Sequence, residues 1–592
     1  MLRFLTFAAV GLIPLCASAQ TLVRSVTGPT ANAMYGTTCI VVPDQNADGF
    51  KDLLVGAPGF NQLRGAVYCL SGAYLATGTG TQTLWSVAPP ANPGDLFGFV
   101  IAEIGDATGD GIGDYLIGQP GYDLASSNDI GAVWLLSGSN SHLLVSLIIG
   151  AASSFDPGAG SVFGSAIAAC GDVNGDGISE VVIGAPGSTS SYMRVVDGSA
   201  LTTTASSLAG AMFTSFGAGG NSGLGTAIVS GFDLDGDGFQ EFAYSSPGFD
   251  GPSGADQGAI DIREASPGFP PVGYYLSTIP SERLGQALDA AHDYDGDGVV
   301  DIVAGAPNHP DGQGNEAGRV VVLSGGSLLG QTIHTFNFNG LNFSDPHHGA
   351  AVCASRDLNG DGVGEIVVGA PDYSTIFPTN TIRGYVSVFS GATGTRLVGI
   401  QGGASEQLGD AVTGAIADLD GDGFREFVVA GALSNANGTD SGVVKCYRLF
   451  PVAPAIYCTG KINSLGCTPD MAFSGSASKT SGAPFLVTAS NFISQKTGLL
   501  FWGHQPTSVA FQGGFKCVAG PSLRTAVQNS GGSASGADCT GTYSFNFNAL
   551  IASNTVPTLV AGAEVFAQYW ARDPASPSTT SLSNALRFLI NP

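Results

Sequence analysis

Short apolar segments, separated by glycine-rich polar loops, recur along most of the chain. An aromatic or aliphatic residue followed by glycine, such as Phe97-Gly98, precedes a first apolar segment. A β-branched run ending in Gly-Ala-Pro follows, as in residues 52–58, and then a run that opens with Gly-x-Val and ends in Ser-Gly, as in 131–138. A last apolar segment, such as 395–400, closes the unit. Segments this short, without helical periodicity, predict four strands per unit.

An acidic loop between the first and second segments gives the repeat its period. The loop starts at residues 44, 106, 172, 233, 293, 357 and 418, so the copies are 60 to 66 residues apart. A fixed period of this size indicates a repeat architecture. Seven units of four short strands predict an all-β fold, a seven-bladed β-propeller with four-stranded blades.

Unit seven ends near residue 449 without a fourth strand, whereas an unassigned apolar segment, 21–26, precedes unit one. We therefore expect this N-terminal strand to close blade seven, which leaves no large unpaired edge. The residue pair before the first strand also varies in one unit, where His348-Gly349 replaces the aromatic or aliphatic residue and glycine.

The acidic loops have the donor pattern of calcium sites. Side chains at loop positions 1, 3, 5 and 9 converge when a glycine at position 6 turns the chain, and position 7 supplies a carbonyl. Thr108 replaces a stronger ligand, so the second site should be the weakest. The predicted metal ligands, blade by blade, are Asp44, Asn46, Asp48 and Asp52; Asp106, Thr108, Asp110 and Asp114; Asp172, Asn174, Asp176 and Glu180; Asp233, Asp235, Asp237 and Glu241; Asp293, Asp295, Asp297 and Asp301; Asp357, Asn359, Asp361 and Glu365; and Asp418, Asp420, Asp422 and Glu426.

The net charge of -26 changes this picture in two ways. It argues against nucleic acid as a partner, because phosphates need basic patches. It is also concentrated in the loops, which hold 24 of the 47 acidic residues. Crowded carboxylates repel without a cation, and we expect up to seven structural Ca²⁺ ions, one in each loop.

The first 19 residues have the features of a secretory signal peptide. Arg3 precedes an apolar run, and Ala17-Ser18-Ala19 matches a cleavage site. We expect a secreted protein, extracellular or at the cell surface, and no later run approaches the ~18 apolar residues of a membrane span. The predicted domains are a signal peptide at 1–19, the propeller at 20–450, a linker at 451–454 and a C-terminal β-sandwich-like module at 455–592.

The Phe-Gly pairs, the Gly-Ala-Pro triplets and the D-x-D-x-D-G-x-x-D/E loops together resemble the FG-GAP repeats of the integrin alpha-chain N-terminal β-propeller. The resemblance covers residues 21–450. It implies calcium in the hairpin between the first two strands of a blade, and partners on the opposite face. Six residues are candidate contacts on that face, and each follows the proline of its own blade by a few positions: Phe60, Tyr122, Phe249, His309, Tyr373 and Phe377.

The cysteines and the histidine pair are explained more readily by structural roles than by catalysis or metal binding. Five cysteines, Cys39, Cys69, Cys170, Cys353 and Cys446, fall in predicted strands and suit buried positions. Cys458, Cys467, Cys517 and Cys539 lie beyond the propeller, where a secreted chain allows two disulfides in any of three pairings. His347-His348 is the only histidine pair; a polar loop explains it better than a metal site.

The C-terminal module shows alternating segments between Gly, Ser and Asn turns, which favours a small β-sandwich. Its role is open between surface attachment, secretion sorting and glycan binding. Trp502, Tyr569 and Trp570 could stack on sugars, although a place in the core explains such residues more often.

Two classes of function are consistent with the sequence. The first is a non-enzymatic adhesion or recognition protein that binds an extracellular protein or glycan. No G-x-S-x-G, H-E-x-x-H or phosphate-binding loop is present, so no catalytic residue is predicted. The alternative is a carbohydrate-binding lectin or a polysaccharide-active enzyme on a propeller scaffold. Such an enzyme needs paired carboxylates, for which the candidates before first strands are Asp95, Glu282, Asp345 and Glu406.

Overall fold

The computed structural model describes residues 20–590 except 90–91, 124–127, 140–141, 143, 151–159, 188–190, 203–210, 218–221, 312–314, 327–331, 338–345, 359–362, 376–380, 418–424, 450–453, 480–481, 536 and 560–562. The predicted signal peptide and most of the predicted linker lie outside the described residues. So do several predicted site residues: Asp345, Asn359, Asp361, Phe377, Asp418, Asp420 and Asp422. The chain divides into two compact units, one of residues 21–449 and one that contains 450–592.

The unit of residues 21–449 is built from four-stranded antiparallel sheets, seven of them within the described residues. The first strands are Cys39–Val42, Ile101–Gly105, Ala166–Ala169, Ile228–Phe232, Ala287–His292, Ala351–Ala354 and Ala411–Ala417. The second strands are Asp52–Ala57, Asp114–Gln119, Val181–Ala185, Glu241–Ser246, Asp301–Ala306, Glu365–Ala370 and Glu426–Gly431. First strands of successive sheets contact one another, and the seventh contacts the first, which closes a ring.

The outer half of each sheet is formed by its third and fourth strands. The third strands are Ala66–Leu70, Ala132–Leu136, Tyr192–Val196, Ala259–Glu264, Arg319–Leu323, Tyr385–Ser390 and Val443–Leu449. The fourth strands of the first six sheets are Thr83–Val87, Leu144–Ile149, Ala211–Phe216, Pro271–Leu276, Thr332–Asn337 and Arg396–Gln401. In the seventh sheet the outermost strand is Gln20–Thr27, paired with Val443–Leu449, so the predicted N-terminal closure is confirmed.

Short elements interrupt this plan. They are the two-stranded pair Ser374–Thr375 and Thr381–Ile382, the helices Phe60–Leu63 and Gly72–Thr77, and the 3-10 helix Gly198–Thr202. The all-β propeller prediction is confirmed by these sheets. Among the described residues, no helix combines the length and apolar character needed to cross a membrane.

The apolar core of the propeller lies between neighbouring sheets. All residues of the second strands are buried, since each of these strands is covered by a sheet on both sides. One cluster joins Val67 of the first sheet to Phe97 and Ile117 of the second. This explains why the second strands, such as Glu365–Ala370, do not alternate between apolar and polar residues.

The repeated Phe-Gly pair docks one sheet on the next. Phe97 forms a parallel bridge with Gly65, which opens the third strand of the preceding sheet. Gly65 has φ +87°, and a Cβ atom there would lie 1.9 Å from the Phe97 carbonyl oxygen. His348 makes the same bridge to Gly318, is fully buried, and lies edge-on to Phe389. His348 is therefore a core residue in the place of phenylalanine, and not part of a polar loop.

The unit that contains 450–592 is a sandwich of two sheets. The larger sheet comprises Ala455–Tyr457, Thr580–Leu589, Glu564–Arg572, Thr497–Gly503, Leu523–Arg524 and Gln528–Asn529. The smaller sheet comprises Asp470–Ser474, Leu486–Phe492 and Gly541–Asn546. A hairpin, Pro506–Phe511 with Gly514–Val518, and a helix, Phe547–Ala552, complete the unit. Phe485, Trp502, Phe547 and Tyr569 pack in its core, as a β-sandwich requires.

The cysteines behave as predicted. Two disulfides join Cys458 to Cys517 and Cys467 to Cys539 in the C-terminal unit. The five cysteines of the propeller are buried and form no disulfide with any described residue.

Candidate calcium-binding loops

The acidic loops lie between the first and second strands of the sheets, and in the first five sheets the loop is organised by its first aspartate. In the third sheet, Asp172 accepts hydrogen bonds from the backbone N–H groups of Gly175 (2.7 Å), Asp176 (3.1 Å) and Gly177 (2.8 Å). Gly177, at loop position 6, has φ +90°. The first aspartate therefore wraps the loop around its own carboxylate and turns the side chains at positions 3 and 5 inward.

The carboxylate at position 9 opens the second strand and is buried in all seven sheets. In the first six sheets it accepts a hydrogen bond from the backbone N–H at loop position 2, as Asp301 does from Tyr294 (2.6 Å) and Glu365 from Leu358 (2.5 Å). Because this carboxylate fixes the loop to the strand, it has a structural partner whether or not a cation is bound.

Three loops bring carboxylates together. Oxygens within 4.8 Å of one another come from Asp172, Asp176 and Glu180 in the third sheet, from Asp233, Asp235, Asp237 and Glu241 in the fourth, and from Asp293, Asp295 and Asp297 in the fifth. Within the described residues, the carboxylates of the first and second loops do not group in this way.

The side chain at position 9 accounts for part of this difference. Asp52, Asp114 and Asp301 each accept a second hydrogen bond from the glycine that follows the third strand, at 2.8–3.0 Å. Among the described residues, none of these three aspartates belongs to a cluster of loop carboxylates. A glutamate at the same position is one methylene longer, and Glu180 and Glu241 reach the cluster.

The fourth loop is the clearest candidate for a metal site. One oxygen of Glu241 is buried and accepts no hydrogen bond from any described residue. Burial raises the pKa of Glu241 to about 7, and the carboxylates of Asp235, Asp233 and Asp237 act in the same direction, while the Leu234 N–H opposes them. A buried carboxylate beside three others is the environment that a bound cation would stabilise.

The other loops are less complete. Thr108 in the second loop has a buried hydroxyl oxygen without a hydrogen-bond partner among the described residues. In the first loop, Asn46 hydrogen-bonds Asp48 (2.9 Å). Asp357, Glu365 and Glu426 are the described members of the last two loops, and Glu426 accepts a hydrogen bond from Arg448 Nε at 2.8 Å.

Three of the acidic candidates for an enzyme site lie among the described residues, and each has local partners. Asp95 accepts a hydrogen bond from Gln119 (3.0 Å), and Glu282 accepts from Arg319 (2.7 Å) and contacts His309 (2.8 Å). Glu406 pairs with Lys445 at 2.5 Å. These carboxylates are used in contacts at different places around the ring.

His347, beside the buried His348, ties neighbouring sheets together. Its Nδ1 donates to Asp372 (2.8 Å) and its Nε2 to Glu316 (3.1 Å). The hydrogen bond to Asp372 raises the pKa of His347. Burial instead lowers the pKa of His348 to about 3, so His348 is neutral near neutral pH and the pKa values of the two adjacent histidines are shifted in opposite directions.

The aromatic candidates for a partner-binding face are largely packed. Tyr373 is buried with its ring 5.0 Å from that of Tyr385, and the Phe60 ring lies 6.1 Å from that of Tyr68. Tyr122 and Phe249 are half-buried.

Comparison with known proteins supports the repeat assignment. A family model described as "FG-GAP repeat" matches residues 163–200, 224–262, 284–323 and 348–389. Integrin alpha-4 of Xenopus laevis is 30% identical over 174 residues, which cover 28% of this chain and 16% of that protein. Integrin alpha-PS5 of Drosophila melanogaster is 31% identical over 158 residues, 26% of this chain and 15% of that protein.

A protein that is named as an enzyme is also similar to part of this chain. Phosphatidylinositol-glycan-specific phospholipase D of Rattus norvegicus is 30% identical over 198 residues, 31% of this chain and 22% of that protein. Each of these matches thus spans less than a quarter of the relative's length.

Solved structures give weaker similarity. A structure of BBS1N in complex with ARL6DN has a TM-score of 0.41 at 11% identity, with 73% of this chain and 97% of that chain covered. The Dos1 propeller has a TM-score of 0.36 at 11% identity, with 67% and 75% covered. The family match and the integrin relatives show that the chain carries FG-GAP repeats and resembles integrin alpha chains.

Proposed function

We propose that this chain is a secreted, calcium-binding β-propeller protein that acts outside the cell in adhesion or recognition, without enzymatic activity. The fourth acidic loop carries the calcium part of the proposal, because it groups four carboxylates within 4.8 Å and leaves one buried oxygen without a hydrogen-bond donor among the described residues. Calcium takes about six to eight oxygen ligands, which these side chains and the loop carbonyls would supply.

The ions would be structural and up to seven in number, one in each predicted loop. Bound calcium neutralises the crowded carboxylates and stiffens the hairpin between the first two strands. The chain's own residues then hold the loop in its turned form, through the first aspartate and the buried carboxylate at position 9. The proposed domains are the propeller at 20–450 and the C-terminal module at 455–592, joined by the linker at 451–454.

Adhesion or recognition is supported by the resemblance to integrin alpha chains. An extracellular location is supported by the two disulfides, since such bonds persist in oxidising compartments. The partner would be a protein or a glycan that binds the face opposite the acidic loops.

Cell-binding measurements with residues 20–592 test this function. Labelled protein is added to cells in millimolar Ca²⁺ and in chelator, before and after the cells are treated with protease or with glycosidases. Saturable, calcium-dependent binding that protease removes supports protein-directed adhesion, and binding that only glycosidases remove supports a lectin. Absence of saturable binding to every cell type, or turnover of a polysaccharide by the purified chain, contradicts the proposal.

A further inference from the structure

The C-terminal unit contains a cleft on the outer face of its larger sheet. Leu499 is paired with Trp570, and Phe501 is paired with Arg524, on adjacent strands. Paired residues project from the same side of a sheet, and residues two apart do so as well. These four side chains therefore share the face opposite Trp502, which is buried in the core between the sheets.

The hairpin of residues 506–518 covers part of this face and completes the cleft. Phe511, Gln512 and Lys516 of the hairpin line it together with the sheet residues, and the enclosed volume is about 320 Å³. The hairpin tip is joined to the sheet by a hydrogen bond from Trp570 Nε1 to Gln512 Oε1 (3.2 Å). This volume is at the lower end of the roughly 300–1,000 Å³ that is usual for small-ligand sites.

The base of the hairpin is fixed, so the cleft is preformed. Cys517 forms the disulfide with Cys458, and its carbonyl accepts a hydrogen bond from the Tyr457 hydroxyl (2.5 Å). Buried Gln568 donates to the carbonyl of Phe515 (3.0 Å). A ligand that enters such a cleft does not have to order the hairpin first.

The cleft carries positive charge in a strongly acidic protein. Lys516 and Arg524 line it, and none of the lining residues is acidic. Within the described part of the chain, neither cation makes an ion pair, whereas Arg319, Lys445 and Arg448 of the propeller are each paired with a glutamate. Two unpaired cations beside aromatic rings favour an anionic ligand with an apolar surface.

The combination of groups fits one chemical class best. Trp570 is half-buried and Phe511 is 38% exposed, so aromatic surface is available inside the cleft. The apolar C–H face of a sugar ring packs on such a surface, while amide and hydroxyl side chains such as Gln512 and Ser522 pair with ring hydroxyls. Nucleic acid is disfavoured because the net charge of -26 repels its phosphates over longer distances.

We propose that this cleft binds an acidic sugar residue of a polysaccharide, with the ring against Trp570 and its carboxylate or sulfate group between Lys516 and Arg524. The site lies in the C-terminal unit and does not depend on the calcium loops. It is thus a second recognition site, separate from the function proposed for the propeller.

Binding of polysaccharides to residues 20–592 in the presence of chelator tests this site. The probes are polygalacturonate, the same polymer with its carboxylates methyl-esterified, and heparin. We expect binding of the free-acid polymer, of heparin or of both, and at least roughly tenfold weaker binding of the esterified polymer, because it lacks the charge that the cations recognise. The ratio of polygalacturonate to heparin affinity assigns the anionic group as carboxylate or sulfate.

Variants locate the site. Arg524→Gln should weaken binding of the acidic polymer by about tenfold and leave the esterified polymer unaffected. Trp570→Ala should weaken both, with Trp570→Phe intermediate. Lys496→Gln, which removes a cation of the same unit that does not line the cleft, should stay within about twofold of the unmodified chain, as expected for a charge that does not contact the ligand.

Three results overturn the proposal: equal binding of the free-acid and esterified polymers, no effect of Arg524→Gln on a chain with an unchanged unfolding midpoint, or binding of a single-stranded oligonucleotide as tight as that of the acidic sugars. Because Arg524 is exposed, its loss leaves the core intact and a negative result is interpretable. The two proposals fail separately. If the chain binds acidic sugars in chelator but does not bind cells, the cleft proposal stands and the adhesion function proposed for the propeller is contradicted.

Discussion

Asp235→Asn in the fourth loop should change the stability of the propeller in opposite directions with and without calcium. Asp235 is exposed and one of its oxygens lies within 4.8 Å of those of Asp233, Asp237 and Glu241. Its amide replacement keeps the shape of the side chain and removes one charge. The core is untouched, so any change in the free energy of unfolding reports on the loop.

The magnitudes follow from the spacing of the carboxylates. Two unit charges 4.8 Å apart repel by about 0.9 kcal/mol in bulk water, and salt screens part of this. Asp235 faces three such carboxylates, and because screening reduces each repulsion we expect the variant to be more stable in chelator by about 1–2 kcal/mol. With Ca²⁺ at about twenty times a dissociation constant of ~10⁻⁴ M, one site contributes roughly 1.8 kcal/mol, most of which the variant should lose.

The assay is urea unfolding of residues 20–592, monitored by intrinsic fluorescence, in 2 mM CaCl₂ and in chelator, buffer concentrations that we choose to bracket the expected affinity. Asp129→Asn removes an exposed charge outside the acidic loops and serves as the matched control, with no calcium-dependent effect expected. The reasoning is refuted if Asp235→Asn has the same effect in both buffers, or if calcium leaves the unmodified chain unchanged.

Three further predictions follow from other contacts. Phe97→Ala should destabilise the propeller by about 3–5 kcal/mol in urea unfolding, because it leaves a cavity between two sheets; a loss below 1 kcal/mol would contradict the docking role. The pKa of His347 is raised in the folded state, so its hydrogen bonds to Asp372 and Glu316 stabilise the propeller fully below the ordinary pKa of about 6.5. This stabilisation is lost as the pH rises through the folded-state pKa. His347→Asn should flatten that part of the stability–pH curve, and an unchanged curve would contradict the prediction. Reduction of the disulfides, whose cysteines are 59 and 72 residues apart, should cost the C-terminal unit roughly 4 kcal/mol each, measured by hydrogen exchange of that unit with and without reductant; equal protection would contradict the estimate.

The propeller was predictable because its signals are local and repeated. An aromatic or aliphatic residue followed by glycine precedes the first strand in six of the seven units, and a glycine opens the third strand in six, so one unit largely predicts the others. The closing strand Gln20–Thr27 was predictable because the seventh unit lacked a fourth strand and the N-terminus held an apolar segment that belonged to no unit. These are properties of neighbouring residues, and sequence carries them directly.

Two kinds of feature were not predictable: contacts between residues that are far apart in the sequence, and the effect of small differences in side-chain length. The pattern treats aspartate and glutamate at loop position 9 as equivalent, yet Glu241 reaches its cluster and Asp301 does not. His348 was identified as a departure, but its burial depends on the neighbouring sheet. The disulfide pairing had three alternatives because it depends on the path of the whole C-terminal unit.

The cleft of the C-terminal unit was only partly visible in the sequence. Trp570 was a candidate for sugar binding, and alternation along residues 497–503 separates Leu499 and Phe501 from the core residue Trp502. Lys516 and Arg524 were missed, because a hairpin and a separate strand bring them to this face only in the folded unit.

Calcium anomalous diffraction from crystals of residues 20–592 grown in millimolar Ca²⁺ tests the central claim most directly. The account predicts a peak in the fourth loop, with oxygens of Asp233, Asp235 and Asp237 at about 2.3–2.6 Å, and further peaks in the third and fifth loops. An ordered fourth loop without an anomalous peak would contradict the claim that these loops bind calcium.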